Sequence, residues 1–516
     1  MTGVEAEWDP DNGRYKLYTG YGKELAGDDI GAYLTFHTEE GEQVEVQMGV
    51  SFVSIENARL NLDTEQQGKN FSQVLEEARR RWNDDLSRIL VEGGTEEQKT
   101  VFYTALYHTL IHPNILQDVN GEYPAMESDK ILTTKGDRYT VFSLWDTYRN
   151  VHQLLTLVYP ERQLQMVRSM LDMYREHGWL PKWELYGRET LTMEGDPSIP
   201  VIVDTWLKGL RDFDIELAYE AMRKGATLPG AENLLRPDND DYVSLGYVPL
   251  REQYDNSVSH ALEYYIADNA LSRIAAALGK KEDARLFHER SLGYKHYYCK
   301  EYGTFRPILP NGEFYAPFDP RQGENFEPNP GFHEGCAWNY TFYVPHDVKG
   351  LAQLMGGKKA FVDKLQRVFD EGLYDPANEP DIAYAHLFSY FKGEEWRTQK
   401  ELHRLLQKYF KNAPDGIPGN DDTGTMSAWA IFNMMGFYPD CPGEPSYTLS
   451  TPVFDKVTIR LDAEVWGREQ LVIETERPSD DSLYIREMEL GGKRLSRFRI
   501  SHQELVEGGK LRFVLR

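Results

Sequence analysis

Residues 262–270 read LEYYIADNA, and the spacing of their apolar side chains predicts a helix. Leu262, Tyr265, Ile266 and Ala270 recur at i, i+3, i+4 and i+8, so they share one helical face. A second set with helical spacing is Phe361, Leu365, Val368, Phe369 and Leu373. This period dominates between residues 98 and 437, where we expect about ten to twelve helices and few strands.

That helical region spans roughly 340 residues, and loops rich in Gly, Pro, Trp and Tyr separate its segments. Helices in such number bury their apolar faces by packing in pairs, and a ring of paired helices closes into a toroid. We therefore predict a helical toroid in which the loops at one end form a pocket.

Both ends of the chain favour β-structure instead. Residues 33–52, YLTFHTEEGEQVEVQMGVSF, alternate apolar and polar side chains after a Glu-Glu-Gly-Glu turn, which predicts a hairpin. The alternating apolar residues are Val44, Val46, Met48 and Val50. The tail segments KVTIRLD, QLVIETE, LYIREMELGGKRL and KLRFVLR alternate in the same way, and SHQE at 501–504 fits a capping box that begins one short helix. Short strands from both ends could pair into one sandwich.

The predicted fold class is therefore a multidomain α and β protein. We expect an N-terminal β-sandwich portion at residues 1–64 and a linker helix at 65–95, where NLDTEQQGKNFSQVLEEARRRWNDDLSRIL has helical spacing. The helical toroid is expected at residues 96–440 and the C-terminal β-strands at 441–516.

Composition narrows the class of function. The 516 residues carry a net charge of −26 and no basic aromatic stripe, so nucleic acid is not an expected partner. There is no apolar run of 18 residues, so no membrane segment is expected, and no signal peptide is expected at Met1. Three cysteines form no disulfide framework. Aromatic residues reach 13%, which suits either a large core or the binding of sugars, whose C–H faces stack on rings.

The stretch GFHEGCAWNY, residues 331–340, is the first candidate for chemistry. Glu334 lies among aromatic rings, where desolvation raises the pKa of a carboxyl and suits it to be a general acid. The alternative is a glutamate that caps or bridges loops.

The stretch PGNDDTGTMSAW is the second candidate. Asp421 and Asp422 are adjacent, so their side chains are expected to point apart, one into the pocket and one toward the loop or the following helix. An ionised aspartate in a polar loop can activate water as a general base, and a plain helix cap is the alternative. An acid and a base that flank a bond are the arrangement of glycoside hydrolysis, although other hydrolyses use such pairs.

Two further groups suit binding. Asn378 and Glu379 offer oxygen ligands for a hard cation such as calcium, and a capped turn is the alternative. The residues that could hold sugar hydroxyls or stack on a ring are Trp145, Asp146, Arg149, Trp183, Glu184 and His333, each of which could equally be structural.

Five segments taken together resemble, in order, the motifs of glycoside hydrolase family 92. They are SLWDTYR (143–149), GWLPKWELYGRET (178–190), GFHEGCAWNY (331–340), NEPDIAY (378–384) and DGIPGNDDTGTMSAWAIFNMMGFYP (415–439). Members of that family are calcium-dependent, inverting exo-α-mannosidases. The resemblance implies an N-terminal β-sandwich, linker helices, an (α/α)6 toroid and C-terminal strands.

The resemblance also implies roles. Glu334 stands where the family has its general acid, and Asp422, or failing that Asp421, stands where it has its base. Asn378 and Glu379 would lie near the calcium ion, and the substrates would be α-mannoside glycans. Inversion requires the two carboxyls to be roughly 6.5–9.5 Å apart, so we expect Glu334 to face the aspartate pair across the pocket.

Some features depart from the family pattern. Ile382 and Ala383 stand where many relatives have a His-His pair, so the α-1,2 preference is not carried over. Thr423 and Thr425 stand where Cys and Gln are common. Met1 enters the family's N-terminal domain midway, which raises the possibility that an upstream chain completes the sandwich. Family resemblance implies export to the periplasm or the exterior.

Two other functions stay open at this point. One is cleavage of other α-mannosides, such as mannose-1-phosphodiesters. The other is a truncated mannan-binding protein without turnover.

Overall fold

The computed structural model describes residues 2–9, 14–21, 30–33, 35–251, 256–323, 329–479 and 481–516. A helical region lies between two parts that contain sheets. Its α-helices are Glu96–His108, Leu144–Thr147, Val151–Val158, Pro160–His177, Ser198–Leu207, Ile215–Thr227, Asn239–Leu245, Ser257–Ala277, Lys281–Ser291, Ala337–Thr341, Val348–Leu354, Lys358–Asp370, Glu395–Tyr409 and Thr425–Met435. Short 3₁₀ segments are Gly230–Glu232, Gly293–Tyr297, Pro345–Asp347, Glu379–Asp381 and Tyr384–Tyr390.

The helix Ser257–Ala277 is the longest described helix, and most of its residues are buried. The predicted stripe of Leu262, Tyr265, Ile266 and Ala270 is at most 1% exposed, which confirms the helix read from LEYYIADNA. The second stripe is confirmed as well. Its first four residues lie buried in the helix Lys358–Asp370, with Leu373 buried just beyond its end.

Short strands lie within the connections between the helices. They are Asn114–Ile115, Glu122–Pro124, Ile131–Thr133, Tyr139–Thr140, Phe142–Ser143, Trp183–Leu185, Arg188–Glu189, Tyr298–Cys299 and Thr304–Phe305. The strand Trp183–Leu185 pairs with both Arg188–Glu189 and Phe142–Ser143. These pairings matter for function, because Phe142–Ser143 leads directly into the helix Leu144–Thr147.

The N-terminal strands Thr2–Asp9, Arg14–Tyr21 and Ile30–Tyr33 form an antiparallel sheet with Thr2–Asp9 in the middle. The hairpin predicted at residues 33–52 is wrong, because residues 35–52 contain a turn but no strand, and Leu34 lies outside the described residues. The apolar side chains that suggested the hairpin are 43–74% exposed at positions 44, 46, 48 and 50. Alternation specifies a strand only where a partner strand and a covering layer exist, and the described residues supply neither for this segment.

The predicted single linker helix at residues 65–95 is two helices, Ile55–Gln66 and Phe71–Leu86, followed by the strand Ile89–Glu92. The break lies at Gly68, which adopts a left-handed backbone with φ +76°, and Asn70 then begins the second helix with a capping box. The first helix begins inside the predicted β portion, so helical structure starts earlier than the sequence pattern indicated.

The C-terminal strands are confirmed. They are Phe437–Tyr438, Ser446–Leu449, Lys456–Arg460, Gln470–Glu476, Ile485–Leu490, Lys493–Leu495, Arg499–Ser501 and Lys510–Leu515, with short helices at Ala463–Trp466 and His502–Gly508. Ser501 and Glu504 form the predicted capping box. Leu511, Phe513 and Leu515 are fully buried on one face of a six-stranded sheet.

A strand from the N-terminal side completes that six-stranded sheet. Ile89–Glu92 pairs with Lys456–Arg460 at its edge. The expectation that strands from residues 1–64 would pair with the tail is wrong within the described residues, where the three N-terminal strands pair only with one another. The strand that joins the tail comes instead from the stretch predicted as linker helix.

In the described part of the chain, none of the helices is long and apolar enough to span a membrane.

Candidate active site

Three carboxylates from distant parts of the sequence meet at one point in the helical region. Asp146 lies on the helix Leu144–Thr147, Glu379 begins a 3₁₀ turn, and Asp422 lies in the turn before the helix Thr425–Met435. Each offers an oxygen, and these oxygens all lie within 4.8 Å of one another. Asp146 and Glu379 are 4% and 3% exposed, whereas Asp422 is only partly buried. Asp422 is therefore the member of the cluster that faces solvent.

Burial and mutual repulsion dominate the electrostatics of this cluster. The pKa of Asp146 is raised to about 8, chiefly by burial; the Ser143 hydroxyl, which donates to Asp146, opposes the rise, and the charge of Asp422 contributes to it. Burial also raises the pKa of Glu379, with the charges of the two aspartates adding to the effect. Three carboxylates in this arrangement hold protons or a cation at neutral pH, because they cannot all be ionised together at low cost.

The cluster has the donor set of a hard-cation site. Glu379 Oε1 is buried and has no hydrogen-bond partner among the described residues. An unpartnered buried carboxylate oxygen beside two other carboxylates suits calcium, which takes oxygen ligands, and does not suit zinc, which prefers His and Cys. The residues present therefore fit calcium.

Asn378, predicted together with Glu379 as a metal ligand, uses its side chain on neighbouring backbone. Its Nδ2 donates to Glu334 O at 2.6 Å, and its Oδ1 accepts from Glu379 N at 2.9 Å. Asn378 therefore joins the turn that carries Glu379 to the loop that carries Glu334. A direct role for Asn378 at a cation stays a prediction.

The two adjacent aspartates point in different directions. Asp421 Oδ1 accepts a hydrogen bond from Ser427 N at 2.9 Å in the first turn of the following helix, and its Oδ2 lies 3.6 Å from His108 Nδ1. Asp422 has a left-handed backbone with φ +47°, and its carboxylate lies in the cluster. Asp421 thus anchors the turn, and Asp422 joins the carboxylate cluster.

Glu334 lies near the cluster on a separate loop. It also has a left-handed backbone, with φ +48°, and its side chain is 31% exposed. Burial raises the pKa of Glu334 above its ordinary value, and the charge of Asp422 raises it further. Asp422 is therefore close enough to Glu334 for their charges to interact, and Glu334 in turn raises the pKa of Asp146.

Hydrogen bonds from three directions hold the backbone of the Glu334 loop. His333 N donates to Ser259 Oγ at 3.1 Å, Tyr340 OH donates to His333 O at 2.6 Å, and the Asn378 amide holds Glu334 O. The His333 ring lies with Nε2 3.6 Å from Glu334 Oε1. The loop therefore presents its carboxyl from a rigid frame.

Aromatic and cationic groups lie beside the carboxylates. Trp145 is edge-on to His333, with ring centroids 6.1 Å apart, and its indole N–H has no acceptor in the described part of the chain. The Arg149 guanidinium lies over the Trp145 ring at 4.7 Å and donates to Glu263 Oε1 at 3.1 Å. The structure thus brings Trp145, Arg149 and His333 together with the carboxylates.

Trp183 and Glu184 lie on the strand that pairs with Phe142–Ser143. The Glu184 carboxylate is fully buried and accepts hydrogen bonds from Thr140 Oγ1, Val141 N and Gly187 N at 2.6–3.0 Å. Three donors occupy Glu184, so its visible role is to fix the loops on either side of the strand. Trp183 is partly exposed on the same strand.

Several supporting residues were not predicted from the sequence. Glu263 accepts from Arg149 and from Tyr148 OH, and Tyr343 bonds to the same group. Ser143 holds Asp146. A sign of Glu263 was present in the sequence, because a glutamate within the apolar run LEYYIA has to be paired when the helix is buried.

Similar proteins share this architecture. Solved structures of two Bacteroides thetaiotaomicron enzymes resemble the chain over 90% of its length. One, described as a family GH92 α-mannosidase, has a TM-score of 0.83 and 33% sequence identity, and a structure of it with mannoimidazole has a TM-score of 0.84 and 32% identity. The other, described as a family GH92 inverting mannosidase, has a TM-score of 0.83 and 31% identity. An uncharacterized secreted glycosidase of Arthroderma benhamiae is 28% identical over 97% of the chain.

The chain spans only 61–65% of the length of these relatives, 64% for the Arthroderma protein. Residues 57–516 match the family model described as the glycosyl hydrolase family 92 catalytic domain. That match includes all four elements that carry Asp146, Glu334, Glu379 and Asp422. The chain therefore belongs to glycosyl hydrolase family 92.

Proposed function

We propose that this chain removes terminal α-linked mannose from glycans with inversion at the anomeric carbon. The observation that carries the proposal is the position of Glu334 and Asp422, which lie on separate loops and interact electrostatically beside a buried pair of carboxylates. The structural relatives add support, because both are described as mannosidases and one as inverting.

In this mechanism Glu334 is the general acid. Burial and the charge of Asp422 raise its pKa, which favours the protonated carboxyl, so Glu334 can donate that proton to the glycosidic oxygen as the bond to the anomeric carbon breaks. The leaving group departs as a neutral alcohol. Asp422, as general base, takes a proton from the water that attacks the anomeric carbon from the opposite face.

Asp422 is preferred to Asp421 as the base. Asp422 is the less buried member of the cluster and the carboxylate whose charge acts on Glu334. Asp421 is engaged by Ser427 N and stays the second choice.

We propose calcium as the cofactor, held chiefly by Asp146 and Glu379 with Asp422 beside them. When bound, the ion would supply positive charge and oxygen coordination for hydroxyls of the terminal sugar. Asp146, predicted as a sugar ligand, would then act through the cation. Arg149, paired with Glu263 behind the cluster, adds positive charge near the buried carboxylates.

The finer architecture is also proposed. The helices from Glu96 to Met435 would close as an (α/α)6 toroid within residues 96–440. A linker of two helices would precede the toroid, and the C-terminal strands at 441–516 would follow it. Trp145 and His333 would line the sugar pocket at one end of the ring, with Trp183 on the neighbouring strand. The expectation of export is supported by a relative that is named a secreted glycosidase.

The test is mannose release from a panel of α-linked mannobioses, with calcium and with a chelator, followed by NMR before the product mutarotates. We expect β-mannose as the first product and calcium dependence. α-Mannose as the first product would refute inversion. Binding of mannan without release of any sugar would identify a binding protein instead, and release only from mannose-1-phosphodiesters would change the substrate class.

A further inference from the structure

We infer that Glu194 and Ser259 are positioning residues for the general acid, acting through the backbone and ring of His333. This inference rests on the proposed role of Glu334. Neither residue belongs to the carboxylate cluster or to the family motifs that the sequence displays.

The backbone around Glu194 is unusual. Met193 has a left-handed backbone with φ +65°, and Gly195 follows with φ +80°. A Cβ on Gly195 would lie 2.7 Å from Glu263 Cβ, so the segment packs closely against the helix Ser257–Ala277. A left-handed residue other than glycine costs free energy and persists where surrounding contacts determine it. The segment therefore holds Glu194 in one place.

Ser259 links Glu194 to the acid loop. Ser259 Oγ donates to Glu194 Oε1 at 3.0 Å, with Asn256 O at 3.0 Å as its alternative acceptor. The same oxygen accepts from His333 N at 3.1 Å. Because the peptide of His333 directly precedes Glu334, a shift of Ser259 moves the backbone from which the acid projects.

The segment touches the acid loop at a second point. Met193 Sδ lies 3.1 Å from His333 Nε2, and that nitrogen lies 3.6 Å from Glu334 Oε1. Asn256 Nδ2 lies 3.1 Å from the other ring nitrogen. Two neighbouring residues, Met193 and Glu194, thus restrain both the ring and the backbone of the residue before the acid.

A buried ion network restrains Glu194 itself. His260 Nε2 lies 3.3 Å from Glu194 Oε1, and His260 Nδ1 lies 3.1 Å from Asp238 Oδ2. Tyr264 OH donates to Asp238 Oδ1 at 2.7 Å. Among the described residues, Lys182, Glu263 and Tyr340 also interact electrostatically with Glu194.

The burial of Glu194 in this network lowers the free energy of unfolding. Glu194 is 1% exposed, and its Oε2 has no hydrogen-bond partner among the described residues. Burying a carboxyl group with an unpartnered oxygen opposes folding, and a well-packed apolar side chain would serve stability at least as well. A role in holding the acid loop accounts for a carboxylate at this position.

The test compares two substrate classes. Poor leaving groups, such as sugar alcohols, need the proton from the acid, whereas activated aryl leaving groups need it much less. Ser259→Ala removes the hydroxyl that bridges Glu194 and His333. We expect kcat/KM for poor leaving groups to fall roughly 10- to 100-fold, with little change for activated aryl mannosides and for KM.

Glu194→Gln is the second variant, and it provides a measurement if Ser259→Ala does not fold. The amide keeps an oxygen that can accept from Ser259, so most of the activity on poor leaving groups should be retained. Matched controls are Ser272→Ala, on the same helix with its hydroxyl donating to Ala284 O at 2.7 Å, and Glu401→Gln, a buried glutamate that accepts hydrogen bonds from Gln366 and Arg404. Both controls should leave the ratio of the two substrate classes unchanged.

An equal loss on both substrate classes, or no loss in Ser259→Ala, would overturn the inference. Glu334→Gln distinguishes a failure of the proposed general acid from a failure of the proposed positioning role. If Glu334→Gln shows no dependence on the leaving group, the proposed acid is wrong. If Glu334→Gln shows the dependence and Ser259→Ala does not, only the positioning role fails.

Discussion

The loop that carries Glu334 and the turn that carries Asp422 use the same backbone conformation for different purposes. Their φ angles are +48° and +47°, so both carboxyls project from left-handed residues. The charge of Asp422 acts on Glu334, whose side chain is 31% exposed, and Glu334 in turn acts on Asp146. Asp422 lies against two buried carboxylates.

That difference separates the two groups chemically. Burial and the charge of Asp422 raise the pKa of Glu334, which favours its protonated form. The Asp422 cluster has three carboxylates whose oxygens lie within 4.8 Å of one another. It needs a proton or a cation, because three neighbouring negative charges destabilise the folded protein. In the proposed mechanism Glu334 gives a proton, and the Asp422 cluster binds a cation and takes a proton from water.

The largest expected effect is at Glu334. Glu334→Gln should reduce kcat/KM on mannosides with poor leaving groups on the order of 100- to 10,000-fold, because the amide cannot donate the proton. Steady-state kinetics on poor and activated substrates measures it. An equal loss on both would contradict the role of acid.

The next effect tests the two aspartates against each other. Asp422→Asn should lower kcat roughly 100- to 1,000-fold, because a base is lost. Asp421→Asn should cost less activity but about 1 kcal/mol of stability, since it weakens the bond to Ser427 N at the helix start. Kinetics and thermal unfolding of both variants provide the measurement. If Asp421→Asn loses more activity than Asp422→Asn, the assignment of the base is reversed.

The third prediction concerns pH and the cation. The pKa of Asp146 is raised from 3.8 to about 8, so between these values the folded state without a cation keeps a proton that the unfolded state releases. Raising the pH through this window therefore lowers the free energy of unfolding of the cation-free protein. Thermal unfolding with a chelator at several pH values should show a decline that Asp146→Asn reduces.

Calcium should oppose that decline. A cation competes with the protons of the cluster, so the rise in Tm on adding calcium should be larger near pH 8 than near pH 5. The same calcium-induced rise at both pH values would show that this cluster does not hold the ion.

The smallest expected effect is at Thr423, the residue after Asp422. Its φ of +52° disfavours a β-branched side chain, and glycine would remove that cost while adding entropy to the unfolded state. Thr423→Gly should therefore change the free energy of unfolding by about 1 kcal/mol or less, as denaturant titration would measure. A large loss of activity in this variant would show that the stiffness of the turn, and not only its conformation, positions Asp422.

Local patterns allowed much of the fold to be predicted from the sequence. Side-chain spacing predicts helices such as Ser257–Ala277 and the strands near residues 456–515. It does so because each of these elements buries at least one apolar face. The capping box at Ser501 is also local, since its two partners are three residues apart. Both candidate catalytic segments were visible because carboxylates stood among glycines and aromatic rings.

Pairings across the chain could not be read from the same patterns. Residues 35–52 alternate like a strand but have no partner strand in the described structure, whereas Ile89–Glu92 becomes a strand because Lys456–Arg460 lies beside it. A strand is stabilised by hydrogen bonds to another segment, so its own sequence does not decide it.

The sequence by itself thus determined the helical and β-rich regions, the family and the two carboxylate-bearing segments. Only the tertiary structure decided that Asp146 joins Glu379 and Asp422, that Asp421 turns away, and that Ser259 bonds to both Glu194 and the loop of Glu334. The physical reason is the distance along the chain over which each effect acts. Helix periods and caps act over a few residues, whereas burial and charge interactions depend on which distant segments the folded chain brings within a few ångströms.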